Sequence, residues 1–192
     1  ISTGLVGSEM CIRDRSLLDL GRADEAVASM LKVTALCREL GDRASEGDAR
    51  VGLGRALVAR GDVDEGLGCL ERGAELCRAA GRAEYAGWGL CDAAWVYLER
   101  GDLERARRLL SDVAENYADV ATAYMWRVRL GLGRVALEDG DIEAASEHLK
   151  AAERLVAETR EGSGDQRSPV VEAAARSVRD LKAELRARQR SA

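Results

Sequence analysis

The chain has 192 residues, of which 33% are charged and 46% hydrophobic, and its formal net charge is −5. This balance excludes the basic character of a general nucleic-acid-binding domain. The sequence also lacks the long apolar run, of about 18 residues, that a membrane span requires. The length is that of one domain.

A glycine recurs at nearly fixed intervals, and in most cases an aspartate follows it. These glycines are Gly21, Gly61, Gly101 and Gly140, and the steps between them are 40, 40 and 39 residues. An internal period of this size indicates stacked supersecondary units. Each unit is predicted to be a helix, a tight turn and a second helix, because glycine adopts turn conformations without strain.

Apolar residues recur at three- and four-residue spacing on both sides of each turn, which is the helical period. The sequence predicts eight helices, near residues 23–40, 44–60, 63–80, 82–100, 103–117, 120–139, 142–159 and 170–189. The aspartates that follow the turn glycines, Asp62, Asp102 and Asp141, are predicted to cap the next helix.

Equivalent positions of the repeat hold side chains of matching size. A small residue lies five positions after each turn glycine: Ala26, Gly66, Ala106 and Ala145. An apolar residue lies nine positions after it: Met30, Leu70, Leu110 and Leu149. Seven positions before it, the complete units have Gly54, Ala94 and Gly133. Small residues let helices approach closely, and the apolar positions predict a continuous core.

These turn glycines, small residues and apolar positions resemble the tetratricopeptide-repeat family over residues 16–159. Two departures are that the closing proline of each unit is missing and that the period exceeds the common 34 residues by about six. The longer form resembles the helical arrays of bacterial signalling ATPases and large transcriptional activators. The resemblance implies an all-α fold: a right-handed α-solenoid of antiparallel helix pairs, with about 3.5 repeats and a C-terminal capping helix.

Four segments follow from this pattern. Residues 1–15 do not fit the repeat and resemble a translated sequencing adapter, so we interpret them as non-native; a divergent capping segment is the alternative. Residues 16–160 form the repeat domain, with further protein expected upstream of it. Residues 161–168 are predicted to be a linker, and residues 169–192 a capping helix with a basic tail. A contact of this tail with nucleic acid or an anionic surface is the less favoured alternative.

Little in the chain indicates catalysis. His148 is the only histidine, and a general base needs positioned partners. The carboxylates lie mainly at helix starts and on exposed faces, where capping and solvation explain them. Cys37 and Cys77 occupy equivalent positions and are expected to be small core residues. We therefore predict that the protein is not an enzyme and has no cofactor and no metal site. We also expect it to be a cytoplasmic protein with reduced cysteines.

The resemblance implies that the first helix of each pair lines a concave face. All seven aromatic residues lie within residues 85–126, and tryptophan, tyrosine and arginine dominate binding hot spots. The candidate groove residues are Trp88, Trp95, Arg55, Arg127 and Arg134. The tryptophans would be apolar anchors, and the arginines would bind carboxylates of a partner. The alternative is that the tryptophans are interhelix core and the arginines a solvated face.

The leading interpretation is a non-catalytic protein–protein interaction scaffold that binds a protein or peptide in its concave groove. The alternative is a sensor or regulatory repeat fragment of a larger bacterial ATP-dependent signalling protein or transcriptional activator. Neither nucleic acid nor membrane is an expected partner. Self-association through the incomplete N-terminal end is a further expectation, because an uncapped repeat exposes apolar helix surface.

Overall fold

The computed structural model describes residues 21–119, 124–162 and 169–191. Within them, eight helices are found: α1 (Ala23–Glu39), α2 (Arg43–Arg60), α3 (Val63–Ala79), α4 (Ala83–Glu99), α5 (Leu103–Asn116), α6 (Met125–Glu138), α7 (Ile142–Gly162) and α8 (Pro169–Ser191). No strand occurs in these ranges, so the predicted all-α fold is confirmed. None of the helices so described is long and apolar enough to cross a membrane. The segment 1–15 lies outside the described residues, as does most of the predicted linker 161–168.

The chain divides into two compact units, residues 1–96 and 97–192, and the boundary falls within α4. In the first unit, α1 packs on α2 and α2 packs on α3. An added Cβ at Gly54 of α2 would lie 2.8 Å from the carbonyl oxygen of Gly66 and 2.7 Å from Cγ of Leu70. The predicted small residues therefore bring the backbones of α2 and α3 into direct contact.

In the second unit, α5 packs on α6, α6 packs on α7, and α8 packs on both α6 and α7. A Cβ added at Gly133 of α6 would lie 3.2 Å from Cδ2 of Leu181 and 3.4 Å from Cβ of His148. The buried face of α8 consists of apolar residues at helical spacing: Ala174, Val178, Leu181 and Leu185. This apolar stripe holds α8 against its two neighbours.

The predicted apolar positions form the core of each unit. The anchors nine positions after the turn glycines are all buried, and so are the small residues five positions after them. Helix α1 and its C-terminal cap also carry three leucines that are at least half exposed: Leu31 and Leu36 in the helix and Leu40 at the cap. Leu36 is equivalent in the repeat to the buried Leu76, so equivalent positions do not always share the same burial.

Six turn glycines among the described residues adopt the left-handed conformation. The predicted turn glycines Gly21, Gly61, Gly101 and Gly140 have φ between 71° and 103°. Gly41 and Gly81 adopt the same conformation, with φ of 69° and 73°. These two were not identified from the sequence, although their spacing from the others is 20 residues. They lie in the turns between successive helix pairs. The turns within a pair and the turns between pairs therefore both end in a left-handed glycine.

The capping prediction is confirmed at two positions and wrong at one. The Asp102 side chain accepts a hydrogen bond from Arg105 N at 3.1 Å, and Asp141 accepts one from Ala144 N at 2.9 Å. Asp62 makes no such bond, because its carboxylate is instead bound by the guanidinium of Arg60. Asp42, which was not predicted, caps α2 by accepting from Ser45 N at 3.0 Å.

Candidate functional site

The first helices α2 and α4 of successive pairs present polar and aromatic residues at helical spacing. On α2, Asp48 and Arg55 are seven residues apart. On α4, Tyr85, Trp88, Asp92 and Trp95 follow at intervals of three, four and three residues. Side chains at such intervals lie on one face of a helix. This pattern places Tyr85, Trp88 and Trp95 in one stripe along α4.

Aromatic rings and guanidinium groups stack along this stripe. The guanidinium carbon of Arg82 lies 4.7 Å from the ring centroid of Tyr85, and the rings of Tyr85 and Trp88 are 4.8 Å apart with planes at 46°. The guanidinium carbon of Arg55, from α2, lies 5.7 Å from the Trp88 ring centroid. We call these four residues, Arg82, Tyr85, Trp88 and Arg55, the stacked ladder. Cation–π attraction and ring packing both stabilise this arrangement.

Each arginine of the stacked ladder is also held by a buried carboxylate. The Arg55 guanidinium donates to Asp92, and Arg82 donates to Asp48 at 2.6 Å. The arginine side chains are 26% and 42% exposed, whereas those of Asp92 and Asp48 are only 10% exposed. The two buried carboxylates therefore bind the arginines from below and hold their guanidinium groups against the aromatic rings.

Asp48 also connects α2 to α3. The Cys77 thiol donates to Asp48 Oδ1 at 3.4 Å. Burial raises the pKa of Asp48, and the nearby Arg82 partly opposes that rise. Burial, together with the adjacent Asp48 carboxylate, raises the pKa of Cys77 to about 12. The thiol is thus protonated at neutral pH and serves as a weak donor in the core, which refines the prediction of a simple core residue.

The two candidate tryptophans are partly buried. The side chains of Trp88 and Trp95 are neither in the core nor fully exposed, and the indole Nε1 atom of each is buried. Tyr97, two residues after Trp95, is buried in the core. The helix α4 therefore keeps the polar edge of each indole inside and leaves part of each ring accessible.

The remaining predicted contacts, Arg127 and Arg134, lie on α6 in the second unit. The guanidinium carbon of Arg127 lies 5.5 Å from the ring centroid of Tyr124. The side chain of Arg134 is exposed. Of the five predicted residues, the structure brings Arg55 and Trp88 together, and Trp95 lies on the same helix as Trp88.

Sequence reasoning missed the partners that hold the predicted residues in place. Arg82, Tyr85 and Asp92 were not among the candidate site residues, yet they hold or extend the stack formed by Arg55 and Trp88. The spacing of Tyr85 and Trp88, three residues apart on a helix, was a local signal for their contact. The pairing of Arg55 with Asp92 joins residues 37 positions apart and has no local signal.

His148, weighed above as a catalytic residue, lies partly buried on α7, and burial lowers its pKa. Among the residues that the structure describes, no group of three or more His, Cys, Asp or Glu side chains is placed to hold a metal ion. The stacked ladder and its neighbours present aromatic and guanidinium groups, which can take part in ring packing, cation–π contacts and charge-assisted hydrogen bonds.

Comparisons with known proteins agree with this architecture. Two family models described as tetratricopeptide repeat match residues 47–119 and 91–158. No curated protein matches the chain. Two solved structures of nearly identical TPR-like repeats, from a protein named as a kinesin light chain of Podosopora anserina, have a similar fold.

The first of these structures, of a variant with one substitution, has 22% identity and a TM-score of 0.63, with 95% of this chain and 93% of that chain covered. The second has 21% identity and a TM-score of 0.64, with 98% and 97% covered. The solved structures show the same type of fold. The two family models together match residues 47–158, more than half of the chain, so the chain belongs to the tetratricopeptide-repeat family.

Proposed function

We propose that this protein is a non-catalytic interaction scaffold that binds a segment of another protein along its first helices. Tetratricopeptide repeats in general mediate protein–protein interaction, which supports the class of function. The observation that carries the proposal is the stacked ladder, because it holds the partly exposed ring of Trp88 in one orientation. Rigid aromatic residues of this kind bind partners with a small loss of side-chain entropy.

The proposed contact residues are Trp88, Trp95, Arg55, Arg127 and Arg134. Trp88 and Trp95 are seven residues apart, so they lie two turns apart along α4, about 10 Å by helix geometry. This distance suits two side chains of one bound segment. Arg134 is exposed, and Arg127 is partly exposed beside Tyr124, so a partner can reach both side chains.

The test is partner capture followed by a quantitative binding measurement. The full chain would be used to isolate partners from the source cells, and each partner would then be purified and titrated calorimetrically. The double variant Trp88→Ala, Trp95→Ala is expected to weaken binding at least about 100-fold, since each hot-spot truncation costs about 2 kcal/mol or more.

Trp126→Ala is the matched control, since Trp126 is also partly buried but is not a proposed contact. Circular dichroism would establish that all variants remain folded. Unchanged affinity of the folded double variant would refute the proposed contact surface, and the tryptophans would then act in packing alone.

A regulatory fragment of a larger ATP-dependent signalling protein or transcriptional activator is the second candidate. The observation that favours it is the period of 39 to 40 residues, which resembles the longer arrays of those proteins. Sequencing the gene upstream of Ser16 tests it: a phosphate-binding loop of an ATPase in the same frame would support this candidate. For either candidate we propose a reducing, cytoplasmic location, because Cys37, Cys69 and Cys77 are free thiols.

A further inference from the structure

The arginines of the stacked ladder are already bound to carboxylates of the protein itself. Arg55 is held by Asp92, and Arg82 by Asp48. Both aspartates are buried, with relative exposures of 8%. A partner carboxylate that recruited either arginine would leave a buried aspartate without its counter-charge, which is strongly unfavourable. Acidic partner side chains therefore gain little from these two arginines.

The charges along this surface do not favour an acidic segment either. Two guanidinium groups face two carboxylates, and the exposed Glu84 lies near enough to Asp48 to contribute to its raised pKa. The local field thus has no net positive character that would attract an acidic segment. Besides these guanidinium groups, which are partly exposed but already paired, the accessible surface is that of the partly exposed residues Tyr85, Trp88 and Trp95.

We infer that this surface of α4 selects an uncharged, extended segment that carries aliphatic or proline side chains. The inference rests on the proposed function and specifies the chemistry of the partner. Tyr85 and Trp95 are ten residues apart on one helix, so the ring stripe is about 15 Å long. An extended chain of about five residues spans this length. Aliphatic and proline side chains pack on aromatic rings without competing for the arginines.

This inference changes the role expected of Arg55. The sequence suggested that Arg55 binds a carboxylate of the partner, whereas the structure shows it bound to Asp92 and stacked on Trp88. Arg55 is a positioning residue in this account: it orients the Trp88 ring and shields the buried Asp92. The rings of Tyr85, Trp88 and Trp95, and not Arg55, then determine which partner segment binds.

The experiment is selection of a random twelve-residue peptide library, displayed on phage, against the full chain. Uncharged peptides with aliphatic or proline residues are expected to be enriched, and their affinity is expected to change less than about 2-fold between low and high salt, since few charges are involved. Trp88→Ala is expected to weaken their binding at least about 10-fold, and Trp126→Ala is expected to leave it unchanged.

A gain-of-binding variant separates selectivity from loss of folding. Asp48→Asn combined with Asp92→Asn removes both internal counter-charges and leaves Arg55 and Arg82 available to a partner. This variant is expected to bind peptides rich in aspartate and glutamate at least about 10-fold more tightly than the wild type does, as charge-assisted hydrogen bonds form.

The outcomes distinguish the inference from the proposed function. Enrichment of acidic, salt-sensitive peptides by the wild type, with loss of binding in Trp88→Ala, overturns the inferred selectivity and leaves the interaction function standing. If no peptide is enriched above the level of the double variant Trp88→Ala, Trp95→Ala, both proposals fail. Enrichment of uncharged peptides that do not depend on Trp88 overturns the assignment to this surface.

Discussion

Asp48 and Arg82, which are 34 positions apart in the chain, are joined by a 2.6 Å hydrogen bond between a buried carboxylate and a partly exposed guanidinium. Asp48 belongs to α2, and Arg82 lies in the turn that precedes α4. The same guanidinium stacks on Tyr85, so one ion pair links helix packing to the aromatic surface. The stability of this pair can be measured separately from binding.

Arg82→Ala is expected to lower the free energy of unfolding by about 1–3 kcal/mol at pH 7, because it leaves a buried carboxylate without its charged donor. Burial already raises the pKa of Asp48, and loss of Arg82 raises it further. A folded-state pKa above the unfolded value gives stability that is present at low pH and lost as pH rises through the folded pKa. The loss of unfolding free energy caused by Arg82→Ala is therefore expected to become smaller as pH falls towards about 4, the ordinary pKa range for aspartate.

Urea unfolding of the Arg82 variant, followed by circular dichroism at several pH values, measures this dependence. Arg72→Ala is the control, since Arg72 and Glu75 pair on an exposed surface with side chains 54% and 64% accessible. It is expected to change stability by less than about 1 kcal/mol. A defect of Arg82→Ala that is the same at every pH would contradict the assigned role of Asp48.

Asp102→Ala is expected to destabilise the protein by about 0.5–2 kcal/mol, because it removes a helix cap. The hydrogen bond concerned joins Asp102 Oδ1 to Arg105 N. Asp62→Ala, at the equivalent position, removes only an exposed pair with Arg60 and is expected to cost less than about 1 kcal/mol. Thermal or urea unfolding of the two variants side by side compares them, and equal losses would show that capping at Asp102 contributes nothing measurable.

Gly81→Ala is expected to cost about 1–2 kcal/mol, because an L-residue at φ of 73° is strained. Gly68 provides the opposite case: it is an exposed helical glycine of α3, and an added Cβ would meet nothing within 4 Å. Gly68→Ala is therefore expected to stabilise the protein by about 0.5–1 kcal/mol. Unfolding midpoints that move in the same direction for both variants would be inconsistent with the assigned turn geometry.

Leu70→Ala is expected to cost about 2–5 kcal/mol, since Leu70 is 1% exposed and packs at the α2–α3 contact. Leu36→Ala removes a leucine that is 52% exposed, so its effect is expected to stay within about 0.5 kcal/mol. Chemical denaturation of both variants gives the two values. A negligible change at Leu70 would mean that the repeat register is wrong.

Much of the fold was predictable because helix pairs repeat. The period placed Ala26, Leu70 and Leu110 in the core, and all three are buried as predicted. The turns at Gly41 and Gly81 were not predicted, because alignment on a single glycine per repeat does not reveal a second glycine half a period away. Their 20-residue spacing from the other turn glycines was the available signal.

The candidate surface was predictable only in part. Trp88 and Arg55 were identified by residue type and repeat position, and the structure brings them to 5.7 Å. Which carboxylate binds Arg55 was not predictable, because Asp92 comes from the next repeat. Equivalent repeat positions hold different residue types there, so the period gives no information about the pairing.

The amino-acid sequence by itself determined the helices, the left-handed glycine turns at Gly61, Gly101 and Gly140, and the residues of the core. These features depend on local conformational preference and on burial at a fixed period, both of which are written in the order of residues. Only the tertiary structure decided which charges neutralise one another and which ring surface stays accessible. Such contacts depend on distances between residues remote in the chain, and a few ångströms separate an arginine that is bound by its own protein from one that is available to a partner.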